Sequence, residues 1–321
     1  PTLELDRRQR QMCIRDRTGA VNSTSAPATT GNRAIVGEDA VLDVQDLTVG
    51  LNGGGSILTI RDGGAVNVSG DTVIGEAVGD NYIYLQRDSN TQFNVTGDLI
   101  VGKEGGSNRF ANYGGTANIG GSLLLGSTTN QHEAKNFIYL ETSDAVLNVA
   151  NAIHIGASNS INTLDIVDGA TVNAQTLFVG SFEGVTNNAV TVKGEDALLY
   201  ITNTLAIGST TGSNNSVTVE SGGTLYVEHG NIEMGSGTNN TLMIEDEGIL
   251  KTLGWDFAAQ TNAATNIIFE SGSTLYLAGL LEGTNMVEGA RNFVLDGTNS
   301  SWNSTANLFV GNETSGLSLI H

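Results

Sequence analysis

An all-β fold is predicted: a single-stranded right-handed parallel β-helix (β-solenoid) with about 11 coils of about 26 residues and three short strands per coil. One observation is a column of asparagines. Asn81, Asn108, Asn136, Asn162, Asn188, Asn215, Asn240, Asn266 and Asn292 stand 25 to 28 residues apart, nearly all directly before a short apolar run. A second is an aliphatic–glycine pair recurring at the same period: Val49-Gly50, Ile74-Gly75, Val101-Gly102, Leu125-Gly126, Ile155-Gly156, Val179-Gly180, Ile207-Gly208, Met234-Gly235 and Val310-Gly311. The third is alternation of apolar and polar residues within each unit, the pattern of strands with one face buried. A propeller blade would need about 40 residues per unit, and a leucine-rich repeat would show its own leucine–asparagine spacing.

Within a coil, the first strand follows the asparagine and carries pairs such as Leu164/Ile166, Val190/Val192, Val217/Val219 and Leu242/Ile244. The second follows a small or glycine turn, as in Val66/Val68, Phe93/Val95, Leu147/Val149, Leu225/Val227 and Leu275/Leu277. The third ends in the aliphatic–glycine pair. Asn32 extends the asparagine column and Ser56 substitutes in it once. The column itself is expected to be mechanical. Asparagine tolerates the left-handed backbone of a sharp turn. Its amide both donates and accepts, so copies stacked about 4.8 Å apart can bond along the axis. One coil alone buries too little to offset the ordering of its backbone, so each coil must pair with its neighbours.

The ends read differently. Met12-Cys13-Ile14-Arg15-Asp16-Arg17 can be encoded by a string whose reverse complement encodes Leu317-Ser318-Leu319-Ile320-His321. Residues 1–17 and 317–321 are therefore expected to be adapter-derived scars rather than native sequence. Residues 18–32 are expected to form a loop or entry segment, and 33–316 the repeat domain, truncated at both ends. A signal peptide or anchor could then lie outside the sequence, and the only cysteine, Cys13, falls in a scar.

The chain has 14 basic and 34 acidic residues and a net charge of −20. Such acidity argues against a nucleic-acid partner, which needs clustered Lys and Arg. It suits a solubilised, surface-exposed protein. No run of about 18 apolar residues occurs, so no helix here is expected to span a bilayer. Forty-two glycines and two prolines indicate many tight turns between short strands.

Between the inward aliphatics lie the outward positions. On the second strand they read Asp43, Asn67, Asn94, Asn118, Asn148, Asn173, Tyr200, Tyr226, Lys251 and Tyr276, an amide row turning into a tyrosine row. On the first strand they include Tyr82, Tyr84, Phe137, Tyr139, Ile267, Phe269, Phe293 and Leu295, and on the third Val73, Ile100, Leu124, His154 and Phe178. Aromatic rows on a rigid sheet can stack on sugars or partner proteins. Tyr200, Tyr226 and Tyr276 are the candidate ligand-facing residues.

No catalytic residues emerge. Carbohydrate-active β-helices need paired carboxylates in a groove, whereas here the acids are dispersed and the densest cluster, Glu245-Asp246-Glu247, reads as a solvated turn. His132, His154 and His229 fall in different coils without a nucleophile or metal-ligand partner. The glycine–aspartate nonapeptide of calcium-binding repeats is missing, as are phosphate-cradling fingerprints. No cofactor and no metal are expected.

Leu58-Thr59-Ile60-Arg61-Asp62-Gly63-Gly64-Ala65-Val66-Asn67-Val68, followed by Val73-Ile74-Gly75, resembles the repeat of bacterial type V secretion and PEP-CTERM-associated proteins. So does Asp296-Gly297-Thr298-Asn299-Ser300-Ser301-Trp302-Asn303 followed by Asn307-Leu308-Phe309-Val310-Gly311. The resemblance covers most of residues 33–316. It departs at Lys251-Thr252-Leu253-Gly254-Trp255-Asp256-Phe257, which replaces the aliphatic–glycine ending and suggests a bulge or capping excursion. The resemblance implies an autotransporter-passenger-like β-helix, secreted or held at the outer membrane, and supplies no catalytic residues.

The expected function is thus a non-enzymatic, extracellular structural or adhesive stalk on the bacterial cell surface. Its expected partners are surface glycans or host and neighbour-cell proteins, with no membrane contact by this part of the chain and anchorage through a missing C-terminal region. The alternative is a fragment of a carbohydrate-active β-helix enzyme, a polysaccharide lyase or hydrolase.

Overall fold

In the computed structural model of the chain, residues 32–252 are described with their side chains, apart from 78, 87, 105, 127–134, 158–160, 181, 210, 230–231 and 236. Outside that span the described part is the backbone of Thr2–Leu5, Gly19–Val21 and six strands running from Thr265–Phe269 to Leu308–Val310. All strand pairings are parallel, and the strands stack as a β-solenoid. The first strands of successive coils form a 12-stranded sheet, the second and third strands together form an 18-stranded sheet, and Asn285–Val287 pairs with Leu308–Val310.

Eight complete three-strand turns run from Arg33–Val36 to Ile232–Met234, against the roughly eleven coils the period predicts. Beyond Thr252 the first-strand ladder continues through Thr265–Phe269 and Asn292–Leu295, but the full coils lie outside the described residues. The Trp255 excursion lies outside them as well. The three-strand expectation is modified in two coils. Ala145–Ile155 and Thr171–Val179 are single bent strands of 11 and 9 residues that merge the second and third positions. Their pairing shifts register between Val149 and Ala152, where one extra residue bends the ladder.

At the start of the stack, Thr2–Leu5 pairs with Arg33–Val36 and Gly19–Val21 with Leu47–Val49. The entry segment expected as a loop therefore contains a strand, and a stretch read as foreign to the repeat extends the first sheet. The physical reason is generic: the edge of a parallel sheet presents unpaired N–H and C=O groups that any extended segment can satisfy.

The inward columns are as the alternation predicts. Leu164, Ile166, Val190, Val192, Val217, Val219, Leu242 and Ile244 on the first strands are buried, as are Val66, Val68, Phe93, Leu147, Val149, Leu225 and Val227 on the second. The aliphatics of the aliphatic–glycine pairs from Val49 to Met234 are buried too, and all these residues join one continuous core. Removing this apolar surface from water is what stacking achieves.

The asparagine column is in register and wholly buried from Asn81 to Asn240. Each Nδ2 donates to the Oδ1 of the asparagine one coil on: Asn81 to Asn108 at 3.1 Å, Asn108 to Asn136 and Asn136 to Asn162 at 3.2 Å, Asn162 to Asn188 at 2.9 Å, Asn188 to Asn215 at 3.0 Å and Asn215 to Asn240 at 3.2 Å. The same Oδ1 also accepts the preceding asparagine's backbone N–H, as from Asn162 to Asn188 at 3.1 Å. At Ser56 only this backbone bond survives, to Asn81 Oδ1 at 3.1 Å.

Two details correct the expectation. In five of the turns the left-handed residue is the one before the ladder asparagine: Asp80, Ser107, Asn187, Asn214 and Asn239 have φ between 55° and 61°. The asparagine itself begins the first strand or directly precedes it. Asn266 also leaves the column, because Asn240 pairs with Thr265 and Asn266 pairs with Thr241. The backbone register therefore slips by one residue relative to the asparagine spacing. Ile267 and Phe269, expected outward, are in register with the inward Leu242 and Ile244, and Phe293 and Leu295 follow them. Asn292 stays in register with Asn266.

Candidate functional site

The amide row of the second strand is a second hydrogen-bonded ladder, and it runs the other way. Asn67 Nδ2 donates back to Asp43 Oδ1 at 2.8 Å, Asn94 to Asn67 and Asn118 to Asn94 at 2.9 Å, and Asn148 to Asn118 and Asn173 to Asn148 at 2.8 Å. Asp43 ends the row as a group that only accepts, giving the last amide a charge-assisted bond. These side chains are half-buried, and a groove of about 590 Å³ follows Asn94, Asn118, Asn148 and Asn173 as far as Tyr200.

Tyr200 and Tyr226 come together beyond the groove, with ring centroids 5.2 Å apart and planes at 59°. The Tyr200 hydroxyl donates a hydrogen bond to Glu228 Oε2. That bond to a carboxylate, aided by burial, pushes the Tyr200 phenol up to about 12. Lys251 is next in register, and only then Tyr276, whose side chain lies outside the described residues. The expected tyrosine face is thus a pair of rings with a lysine next in register.

A larger aromatic group lies on the first sheet. Tyr82 and Tyr84 stack at 5.7 Å and 6°. Tyr84 and Tyr139 occupy equivalent outward positions two coils apart, with Ala111 in register between them. Ala111 is buried and small, so the Tyr113 ring lies across its position, 6.4 Å from Tyr84 and 5.8 Å from Tyr139. The Arg109 guanidinium sits 5.1 Å from the Tyr139 ring centroid and donates to the Tyr113 hydroxyl at 3.1 Å. Cation–π attraction and that hydrogen bond fix the arginine in place. Burial raises the phenols of Tyr82, Tyr84 and Tyr139, so they remain neutral hydroxyls.

Of this group, Tyr82, Tyr84 and Tyr139 are visible as outward residues in the sequence, while Arg109 and Tyr113 are not. The signal for them is a local break in alternation: Phe110, Ala111 and Asn112 are consecutively buried. Asn112 is held inside by donating to the Gly115 carbonyl at 2.9 Å and accepting from Gly114 N at 3.0 Å. Beside Tyr113 opens a hollow of about 620 Å³ lined by Arg61, Asp62, Gln86, Tyr113, Glu141 and Thr142.

The two described histidines, His154 and His229, do not converge. His154 stacks on Phe178 at 4.8 Å and 14°, and burial lowers its pKa against the opposing pull of Asp98. His229 Nε2 lies 3.4 Å from Glu228 Oε2, and His132 is outside the described residues. Many carboxylates have structural work. Asp46 accepts Asp71 N at 3.1 Å, Asp71 accepts Asp98 N at 2.8 Å, and Asp98 accepts Ser122 N at 2.7 Å, a corner column between second and third strands. In Glu245-Asp246-Glu247, Asp246 and Glu247 adopt left-handed backbone, and Asp246 accepts the Ser221 hydroxyl at 3.0 Å. Among the described residues no group of three or more His, Cys, Asp or Glu could hold a metal ion.

No protein-family model matches the chain, and no curated protein or solved structure matches it either.

Proposed function

We propose that the chain is a non-enzymatic structural and adhesive stalk of an extracellular bacterial surface protein of the autotransporter-like kind. The observation that carries this reading is the pair of amide ladders. A ligand pocket needs only a local constellation, whereas here hydrogen-bonding side chains are repeated coil after coil. Their axial bonds resist shear between coils, and fully satisfied polar networks rigidify what they join. The acidic residues at the corners serve the same end by accepting backbone N–H groups of the next coil. The repeat's resemblance to secreted and autotransporter-associated proteins gives the rod its setting outside the cell. A rigid rod presents its outward faces at fixed positions, which suits adhesion.

The test displays the chain on bacterial cells through a fused outer-membrane anchor and measures attachment to glycan-coated and cell-coated surfaces. Release of reducing or unsaturated ends from polysaccharides is measured alongside. Attachment without bond cleavage supports the stalk. Catalytic release of sugar ends overturns it in favour of a carbohydrate-active enzyme, and cells that attach no better than the anchor alone remove the adhesive role.

A further inference from the structure

We propose that the first-sheet surface formed by Tyr82, Tyr84, Arg109, Tyr113 and Tyr139, with the adjoining hollow at Arg61, Gln86 and Glu141, binds a neutral polysaccharide chain laid along the solenoid axis. This deepens the adhesive part of the stalk reading and rests on it.

Three features converge on that ligand. First, the rings form an unbroken band across three coils, because Tyr113 fills the place that Ala111 leaves open between Tyr84 and Tyr139. The band follows the axis for two inter-coil steps, about 10 Å at about 4.8 Å per step, the length of a short stretch of a longer chain, and its half-buried rings offer apolar contact to the C–H face of a pyranose.

Second, the band runs into polar groups of the right kind. Arg61, Gln86 and Glu141 are planar side chains with paired donors or acceptors, the geometry that engages vicinal hydroxyls. Arg61, Gln86 and Tyr113 are in backbone register at the end of the first strand, so they too follow the axis. Arg109 is clamped by Tyr113 and Tyr139, and its Nε is buried without a hydrogen-bond partner.

Third, charge selects against the acidic alternatives. The chain carries −20 overall, and the hollow itself mixes Arg61 with Asp62 and Glu141, with Arg61 Nε lying 3.4 Å from Asp62 Oδ2. A uronate or sulfated polymer would meet repulsion from the whole molecule. Neutral hydroxyls can use both signs of partner.

The test is affinity electrophoresis of the full chain through gels containing hydroxyethylcellulose, galactomannan or xyloglucan, with alginate as the anionic comparison. Retardation by at least one neutral polysaccharide, stronger than by alginate, is expected. Tyr84→Ala and Tyr139→Ala should each weaken the apparent Kd by about tenfold, the scale of losing one stacked aromatic contact. Tyr84→Phe should stay within about threefold, since stacking survives. Phe182→Ala, which removes an exposed ring outside the first sheet, should bind like the parent. Circular dichroism and the denaturation midpoint confirm that each variant is folded. The proposal is overturned by no retardation in any neutral gel, by equal or stronger retardation in alginate, or by folded Tyr84→Ala and Tyr139→Ala variants that bind as the parent does. A glycan-blind chain that still mediates attachment to protein-coated cells would overturn this inference while leaving the stalk intact.

Discussion

The amide of Asn188 occupies the space in which Gly156 would carry a side chain: a Cβ on Gly156 would stand 2.4 Å from Asn188 Cγ. Asn188 is the ladder asparagine one coil further on than Asn162, which closes the turn of Gly156. The relationship repeats for Gly50 with Asn81, Gly75 with Asn108, Gly102 with Asn136, Gly126 with Asn162, Gly180 with Asn215 and Gly208 with Asn240. Two columns that look independent in the sequence are thus one device. The glycine is required both for its left-handed φ and for the room it leaves to an amide that must reach along the axis.

These two requirements separate by substitution. Gly156 has φ +79° and faces Asn188, whereas Gly184 has φ +75° and nothing within 4 Å of its would-be Cβ. Gly184→Ala should cost only the backbone strain, about 1 kcal/mol. Gly156→Ala should cost about 3 kcal/mol or more, because it also displaces a buried amide from its bonds. Urea denaturation of both variants measures the difference. Equal losses would mean that the amide column does not depend on the glycine column.

The buried ladder also makes a prediction about charge. Asn162 donates to Asn188 Oδ1 at 2.9 Å in a fully buried site. Asn162→Asp replaces a donor with an acceptor and faces it with the Asn188 oxygen, at a cost of about 3 kcal/mol or more at neutral pH. Burial raises the folded-state pKa of such a carboxyl above its unfolded value. The variant should therefore regain stability at acid pH, where the protonated carboxyl can donate, and lose it as pH rises through the raised folded-state value. Denaturation midpoints across pH check the sign, and a variant that is weaker in acid than at neutral pH contradicts it.

How much of this was legible beforehand follows from what repeats. The period, the inward aliphatics and the ladder from Asn81 to Asn240 could be read because every coil solves the same packing problem with the same residue type. The second ladder was visible as the row Asn67, Asn94, Asn118, Asn148 and Asn173, but not as a bonded chain, since only geometry shows an amide reaching back to Asp43. Asn266 misled because it keeps the spacing while the backbone register slips by one. Asn and Thr at neighbouring positions suit a turn equally, so spacing cannot decide between them. Arg109 and Tyr113 are not legible because their placement depends on Ala111, a small buried residue at an otherwise outward position.

Asp165 lies on the outward face of the first strand, in register with Tyr139 and Thr191. Burial is the main influence and raises its pKa, against a hydrogen bond with Thr191 and the charge of Arg109, which both lower it. A carboxyl whose pKa rises on folding adds stability in acid and loses it as pH rises through its folded-state value. Asp165→Asn, which imitates the protonated form, should therefore shift the urea midpoint upward at neutral pH and leave it nearly unchanged in acid. A lower midpoint at neutral pH would show that the Thr191 and Arg109 contacts outweigh desolvation.

The Tyr200–Glu228 pair gives the stack a response to alkali. Tyr200 is pushed from an ordinary 10.0 up to about 12, chiefly because its hydroxyl donates to Glu228. Since the folded-state value is the higher one, the stabilising bond is fully present below pH about 10. Its contribution fades as pH rises towards about 12, where the phenol ionises in the folded protein as well. Spectrophotometric titration should show one tyrosine ionising about two pH units above the ordinary phenol value, and Tyr200→Phe should remove that step. Glu228→Gln keeps an acceptor but discards the charge, so it should move the step downward while the ring contact with Tyr226 remains. If Glu228→Gln leaves the step in place, the carboxylate is not what holds the phenol up.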